Sequence, residues 1–164
     1  MEDLRNQTHR ANFQGNVFPD TRFSIEADLP KYTITPIGFI KSKIKSRHDA
    51  PRFYTEGAPS AFLEIIPRYR RGASRIEVNS EIIVITWLHR AHRSVLQTHP
   101  KGDMSLPLTG VFLTRSPDRP NPLGLHRCKV LEVTASGLRI EPIEAIDGTP
   151  VVDIKPVVSE AKDY

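Results

Sequence analysis

Apolar residues along this chain occur mainly in short runs, separated by glycine, proline and charged residues. The runs are rich in β-branched and aromatic residues, and their length is typical of strands. They lie at Tyr32–Ile40, Ala61–Ile66, Ile82–Leu88, Thr109–Thr114, His126–Val133, Leu138–Ile146 and Val151–Ile154. The pattern predicts an all-β fold with long loops and little helix, either a barrel or a strongly curled sheet.

Two of these runs differ in how they are expected to be buried. Ile82–Leu88 is continuously apolar, which predicts a central buried strand. His126–Val133 alternates basic and apolar residues, which predicts a half-exposed strand with Cys128 directed into the core. Ser136-Gly137 marks a hairpin turn, and Asp147-Gly148 is the strongest turn signal in the chain.

The pattern also defines the domain organisation of the 164 residues. Residues 1–30 are polar and aperiodic, and we expect a mobile N-terminal extension. Residues 31–160 form the predicted β-domain, and residues 161–164 a C-terminal tail. The N-terminus has no apolar leader, no window is long enough to span a bilayer, and the single cysteine excludes a disulfide within the chain. We therefore expect a cytoplasmic location without membrane association.

Charge adds a weak indication of a partner. The net charge is +4 and the isoelectric point about 9.4, values that many soluble proteins share. Between Pro67 and Lys101, however, seven basic residues occur with only two acidic ones. Such a concentration is suited to several phosphates, although an ordinary solvated loop surface is the alternative.

The most unusual segment is Thr114–Leu125 (TRSPDRPNPLGL). Its three prolines stiffen the backbone, and Gly124 permits a close approach of the chain. Arg115 and Arg119 are carried on this stiff support, and arginine binds carboxylates and phosphates through a two-pronged donor geometry. The alternative is a rigid structural crossover with exposed arginines.

Two further segments are candidates for ligand contact. His89 and Arg90 follow the apolar strand and open a long loop, a frequent location of binding residues. The turn Asp147–Pro150 offers a fixed carboxylate that can accept hydrogen bonds from amines or hydroxyls, although a plain turn explains it equally. No metal site is expected, because no acidic or cysteine cluster accompanies His89 and His92.

These segments together resemble the TsaA-like family of TrmO-type tRNA methyltransferases. The resemblance runs from about Ile34 to Val158. It is strongest in Gly110–Pro117 (GVFLTRSP), Arg119–Leu125 (RPNPLGL) and Asp147–Pro156 (DGTPVVDIKP). It implies a single-sheeted β-barrel, a homodimer, and methylation by S-adenosyl-L-methionine of N6 of threonylcarbamoyladenosine at position 37, in the tRNA anticodon loop.

The resemblance also implies site residues. Those expected to bind S-adenosyl-L-methionine are Phe53, Tyr54, Thr55, His89, Arg90, Arg115, Leu125, Asp147, Gly148, Thr149 and Pro150. Those expected to contact RNA are Arg68, Arg70, Arg71, Arg93, Lys101 and Arg119. The catalytic residue is unknown, with His89 a candidate proton acceptor.

The chain departs from the family pattern at three places. Phe53 stands where the family has glutamine, Glu81 where it has histidine, and Val157 where it has tyrosine. These changes keep two alternatives open: a methyltransferase for another RNA or a small molecule, and a non-enzymatic S-adenosyl-L-methionine-binding module.

Overall fold

The computed structural model describes residues 30–52 and 54–158, and the residues beyond Thr33 form one unit. Phe53, the C-terminal tail and nearly all of the N-terminal extension lie outside the described residues. The strands are β1 (Gly38–Lys41), β2 (Ala61–Ile65), β3 (Glu81–Trp87), β4 (Gln97–Thr98), β5 (Thr109–Gly110), β6 (Leu123–Val133), β7 (Gly137–Glu141) and β8 (Pro150–Pro156). Helical structure in the described part consists of 3-10 turns at Tyr54–Glu56, Pro67–Ala73, Pro100–Gly102 and Val111–Leu113. None of its helices has the length and hydropathy of a membrane span.

Six strands close into a barrel in the order β1-β2-β7-β6-β3-β8, and the short pair β4-β5 stands apart from it. Every neighbouring pair is antiparallel. Side chains of such a small barrel fill its interior, so buried and more exposed residues alternate along β1, β2, β3 and most of β6. The prediction of an all-β, single-sheeted barrel is confirmed.

Strand β6 shows how the sequence encodes this wall. Its inward positions Gly124, His126, Cys128 and Val130 are buried, while Leu125 and the other outward positions are exposed. Cys128 is 1% exposed, as its alternation with Arg127 and Lys129 predicts. In β3 the inward residues are also buried, but Ile83 and Ile85 on the outer face are only half-buried. The apolar run is therefore buried on one face, not on both.

Three predicted strands are several residues shorter than expected, whereas β6 and β8 begin earlier or end later than predicted. The first begins at Gly38 instead of Tyr32. The run from Thr109 to Thr114 is a strand only at Thr109–Gly110 and then becomes a 3-10 turn. Phe112 and Leu113 in this turn are 83% and 86% exposed, so they do not pack against the described part of the protein. The run expected to reach Ile146 ends at Glu141, because Pro142 follows and lacks the N–H that a ladder requires.

The turns follow the sequence signals in different ways. Thr134 Oγ1 donates to the carbonyl of Gly137, closing the predicted hairpin between β6 and β7. Gly148 has a positive φ of 77°, which glycine adopts freely. The Asp147-Gly148 turn nevertheless leads from a loop into β8, and the strand before it, β7, pairs with β2 and β6 instead.

The strand directions define two ends of the barrel. At one end of the barrel, which we call the upper end, β1 and β3 finish and β2, β6 and β8 begin. The lower end carries the β6-β7 hairpin and the 3-10 turn Pro67–Ala73 that follows β2. Tyr69 and Ala73 of that turn pack against the core from below. Ile143 and Ala145, between β7 and β8, are buried at 0% and 3% exposure.

Candidate active site

The residues expected to bind the cofactor, where they are described, come together at the upper end. His89 and Arg90 follow β3, Leu125 lies near the start of β6, and the turn Asp147–Pro150 enters β8. Antiparallel pairing produces this proximity, because β3 ends where its neighbours β6 and β8 begin. Tyr54 and Thr55 belong to the 3-10 turn shortly before β2, which starts at the same end.

Asp118 links three loops above this end. Its Oδ2 lies 2.8 Å from Arg47 Nη2, and its Oδ1 accepts a 2.8 Å hydrogen bond from the backbone N–H of His92. Arg47 also donates to the carbonyl of Arg90 at 3.2 Å, and Arg93 Nε donates to the carbonyl of Pro120 at 2.9 Å. Burial raises the pKa of Asp118. The hydrogen bonds that Asp118 accepts from Arg47 and from the backbone of His92, together with the positive charge of Arg47, outweigh burial, so the pKa of Asp118 lies below its usual value. The part of the Thr114–Leu125 segment that precedes β6, which we call the Pro-Arg loop, is therefore held to the loop that carries His89 and Arg90.

Asp147 is fixed by the segment that follows β1. Its Oδ1 accepts a 2.9 Å hydrogen bond from the backbone N–H of Ser42, and its Oδ2 lies 2.9 Å from Lys45 Nζ. The hydrogen bond from Lys45 and that from Ser42 lower the pKa of Asp147, so its carboxylate is ionised at neutral pH. Thr149 is 1% exposed, and its hydroxyl donates to the carbonyl of Ile146 at 2.7 Å. The side chain of Thr149 therefore supports the turn, while Gly148 is exposed.

The two arginines of the Pro-Arg loop have different environments. Arg119 donates to the carbonyls of Ser116, Val111 and Thr114, all within its own loop. This side chain orders the loop, and its expected contact with RNA stays a prediction. Arg115 is exposed and makes one 3.3 Å hydrogen bond, from Nη2 to the carbonyl of Leu125.

A buried polar chain beneath the Pro-Arg loop was not predicted. His126 Nε2 lies 2.9 Å from Thr86 Oγ1, and His126 Nδ1 lies 3.0 Å from Glu144 Oε1. The second contact is close enough for an ion pair, but its alignment is too poor for a hydrogen bond. Within the described residues, Glu144 Oε2 is buried without a hydrogen-bond partner. The alternation of β6 that directs Cys128 inward also directs His126 inward, so the signal was present in the sequence.

Burial raises the pKa of Glu144, but contact with His126 and the more distant charge of Arg115 outweigh this effect and lower it. Glu144 is thus an ionised carboxylate between the barrel interior and Arg115. Gly124 makes room for this chain, since a Cβ there would lie 2.4 Å from Thr86 Oγ1 and 2.7 Å from His126 Nε2.

His89 is exposed at the rim. Partial burial and the neighbouring charge of Arg90 lower its pKa below 6.5, so its imidazole is neutral at pH 7 and able to accept a proton. Within residues 30–52 and 54–158, no three histidine, cysteine or acidic side chains come together as a metal site would require.

The basic residues expected to contact RNA divide between the two ends. Arg93 lies at the upper end, with its guanidinium carbon 5.3 Å from the ring centre of Trp87. Lys101 lies in the 3-10 turn Pro100–Gly102, between β4 and β5. Arg68, Arg70 and Arg71 belong to the 3-10 turn at the lower end. There, Arg68 stacks over Tyr69 at 4.6 Å and Arg70 Nε donates to the carbonyl of Ile65 at 3.2 Å.

A cleft of about 470 Å³ opens beside Asp147 on the outer surface of β1 and β2. Its walls are Lys41, Ser42, Lys43, Lys45, Ser60, Ala61, Phe62, Arg139 and Asp147. Leu125 faces outward on β6, three strands away from β1 in either direction around the barrel. Arg115 and Asp147 thus share the upper end but not this cleft.

Comparisons with known proteins identify the family of this chain. Residues 39–163 match the family described as tRNA-methyltransferase O N-terminal domain. A probable S-adenosyl-L-methionine-binding protein of Methanothermobacter thermautotrophicus is 41% identical over 123 residues, which cover 75% of this chain and 88% of the relative. An S-adenosyl-L-methionine-binding protein of Archaeoglobus fulgidus is 40% identical over 122 residues, covering 74% and 86%.

Solved structures show the same fold. A crystal structure of TrmO from Pseudomonas aeruginosa superimposes with a TM-score of 0.64 at 29% identity, covering 85% of this chain and 62% of the TrmO chain. The present chain therefore spans about three fifths of the length of that protein. From the family match, the relatives and the shared barrel, this chain belongs to the tRNA-methyltransferase O N-terminal domain family.

Proposed function

We propose that this protein is an S-adenosyl-L-methionine-dependent methyltransferase that acts on tRNA, with N6 of threonylcarbamoyladenosine at position 37 as the acceptor. The observation that carries the proposal is the gathering at one barrel end of Arg90, Arg115 and Asp147, which lie far apart in sequence. The family match and the names of the relatives support the cofactor and the reaction class.

The charges at this end suit the cofactor. S-adenosyl-L-methionine presents a carboxylate, an amine and ribose hydroxyls. Arg115 is exposed, and within the described residues its guanidinium donates one hydrogen bond, to the carbonyl of Leu125, so its remaining donors suit a carboxylate. Asp147 is ionised and held by the Lys45 ammonium and the backbone N–H of Ser42, so its carboxylate is in a fixed position to accept from an amine or hydroxyl. When bound, the cofactor supplies an activated methyl group on a sulfonium.

The protein's own contribution is mainly positional. Because the methyl donor is already activated, alignment of acceptor and donor accounts for much of the rate, up to roughly 7–11 kcal/mol. The Asp118 links fix the loops that carry Arg90 and Arg115 relative to one another. His89, neutral at pH 7, accepts the proton that the acceptor nitrogen loses.

We further propose that a homodimer completes the cofactor site. Arg115 binds the backbone of Leu125, whose side chain is 51% exposed on a wall distant from Asp147. A second copy brings the Leu125 wall of one subunit to the Asp147 turn of the other. Large apolar side chains of the loops around β4 and β5 stand exposed, as subunit contacts require: Leu96, Met104, Leu106, Leu108, Phe112 and Leu113.

Calorimetry with S-adenosyl-L-methionine, followed by transfer of a radiolabelled methyl group to total tRNA, tests the proposal. Arg115→Ala is expected to weaken cofactor binding about 10- to 100-fold, as loss of a charge-assisted contact predicts. Arg127→Ala is the matched control, because this exposed arginine on β6 forms a surface ion pair with Glu81.

The outcomes separate the alternatives. Binding without transfer to any acceptor favours a cofactor-binding module, and transfer only to small metabolites favours the other enzyme class. Unchanged cofactor affinity in Arg115→Ala contradicts the assignment of the site.

A further inference from the structure

The segment that follows β1 presents a row of lysines. Lys41, Lys43 and Lys45 are exposed, whereas the intervening Ser42 and Ile44 are 7% and 5% exposed. All three lysines line the same cleft, so they project from one side of the chain, and we call them the lysine row.

The lysine row forms one side of the cleft beside Asp147, together with Arg139 of β7. Arg139 reaches it because its backbone pairs with Phe62 of β2, another residue of the cleft wall. Four cations thus line a single open cleft at the edge of the proposed active site.

The acidic residues near this cleft do not neutralise it firmly. Lys41 lies 3.4 Å from Glu64 and Arg139 lies 3.3 Å from Glu132, and all four side chains are about half exposed. Lys45 lies 2.9 Å from Asp147, and its own side chain is 67% exposed. Such surface pairs contribute only about 0–1 kcal/mol, so a phosphate can replace the carboxylate. Among the described residues, no hydrogen bond or ion pair engages Lys43.

We infer that the lysine row and Arg139 bind the phosphodiester backbone of the substrate RNA and lead its unpaired loop to the Asp147 turn. This inference rests on the proposed tRNA acceptor. Several cations along one open cleft match the successive phosphates of a nucleic-acid strand. The arginines of the lower end are less suited, because Arg68 stacks on Tyr69 and Arg70 donates to the carbonyl of Ile65, at the opposite end of the barrel.

The test measures binding of total tRNA and of oligouridylate to the full chain over a range of salt concentrations. The variant is Lys43→Gln, and the matched control is Lys129→Gln, an exposed lysine on β6. Each phosphate contact in single-stranded RNA contributes about 0.7 to the salt slope. Lys43→Gln is expected to reduce the slope by about that amount and to weaken binding roughly three- to fivefold at physiological salt. Lys129→Gln is expected to leave both unchanged.

The outcomes distinguish this inference from the proposed function. If the wild type binds RNA and methylates it but Lys43→Gln matches the wild type, only the inference is overturned. An equal loss in both variants also overturns it, because net charge then explains the effect. Competition by polyglutamate as strong as that by RNA indicates an acidic protein partner instead. If the wild type binds S-adenosyl-L-methionine but no RNA, the tRNA acceptor itself is wrong. Cofactor affinity in Lys43→Gln is expected to equal that of the wild type.

Discussion

His126 Nδ1 lies 3.0 Å from Glu144 Oε1, inside the upper end of the barrel and beneath the loop that carries Arg115. The histidine side chain is 4% exposed and the glutamate 26%. A buried polar group without a partner is costly, so each residue of this pair, and Thr86 on the other side of the imidazole, depends on the others. The contact joins β6 to the segment that leads into the Asp147 turn.

Replacement of His126 by alanine is expected to destabilise the protein by about 2–4 kcal/mol. The change leaves a cavity in the core and removes the partner of Glu144 and Thr86. Urea unfolding measures the free energy of unfolding of each variant. In the control, Arg127→Ala, the adjacent outward residue is replaced, and the expected loss is about 0–1 kcal/mol. Equal losses in both variants would show that the buried chain is unimportant.

Gly124→Ala is expected to cost about 1–3 kcal/mol, because its Cβ would clash with Thr86 Oγ1 and His126 Nε2. Since removal of the threonine hydroxyl relieves part of this clash, Gly124→Ala combined with Thr86→Ala should cost less than the sum of the single changes, by at least about 0.5 kcal/mol. Gly110→Ala, where a Cβ meets nothing within 4 Å, serves as the control. Strict additivity would contradict the steric explanation.

Asp118→Asn is expected to lower the free energy of unfolding at pH 7 by about 1–3 kcal/mol, since Asp118 accepts charge-assisted hydrogen bonds. The pKa of Asp118 is lowered in the folded protein. Its stabilising contribution is therefore complete above the ordinary value of 3.8 and is lost as the pH falls through the lower folded value.

The difference between wild type and Asp118→Asn should accordingly shrink in acid. Urea unfolding at a series of pH values measures it, with the exposed Glu77→Gln as control. A difference independent of pH would mean that the charge of Asp118 is not the cause.

Cys128 is expected to resist thiol reagents in the folded protein at pH 8. Burial, and to a smaller extent the charge of Glu144, raise the pKa of its thiol to about 12, and only the thiolate is nucleophilic. A colorimetric disulfide reagent should react with the thiol in urea but not under native conditions. Rapid native reaction would show that the barrel opens readily around β6.

The pH dependence of methyl transfer tests His89 as the proton acceptor. Because burial and Arg90 lower its pKa below 6.5, the rate should fall as the pH drops through a value below 6.5 and stay level above it. His89→Gln should lower the rate and remove this inflection while cofactor binding persists. An unchanged profile in the variant would assign the proton transfer to another group.

The family and the barrel were predictable from the sequence because both depend on local signals. The alternation in β6 identified the inward Cys128, and the Pro-Arg and Asp-Gly segments carried the resemblance that the family match confirmed. The prediction of a strand up to Thr114 was wrong, because an apolar run forms a strand only where a neighbouring strand pairs with it.

The basic stretch after Pro67 shows why the site was harder to predict. Arg70 and Arg93 are close in sequence and similar in chemistry, yet they lie at opposite ends of the barrel. Strand β3 runs the length of the wall between them, roughly 20 Å for seven residues. The cleft of the lysine row could not be predicted from the sequence, because Arg139 and Asp147 come beside the lysines only when the sheet closes.

The sequence alone determined the pattern of strands, the stiffness of the Pro-Arg loop and the chemistry of its arginines. These features depend only on residue type and on spacing along the chain. The tertiary structure decided which charged groups meet: His126 with Glu144, Arg47 with Asp118, and the lysine row with Asp147. The physical reason is that strand register and closure of the barrel bring distant segments of the chain together. Arg47 and Asp118 are 71 positions apart in the sequence, and Ser42 and Asp147 are 105 positions apart.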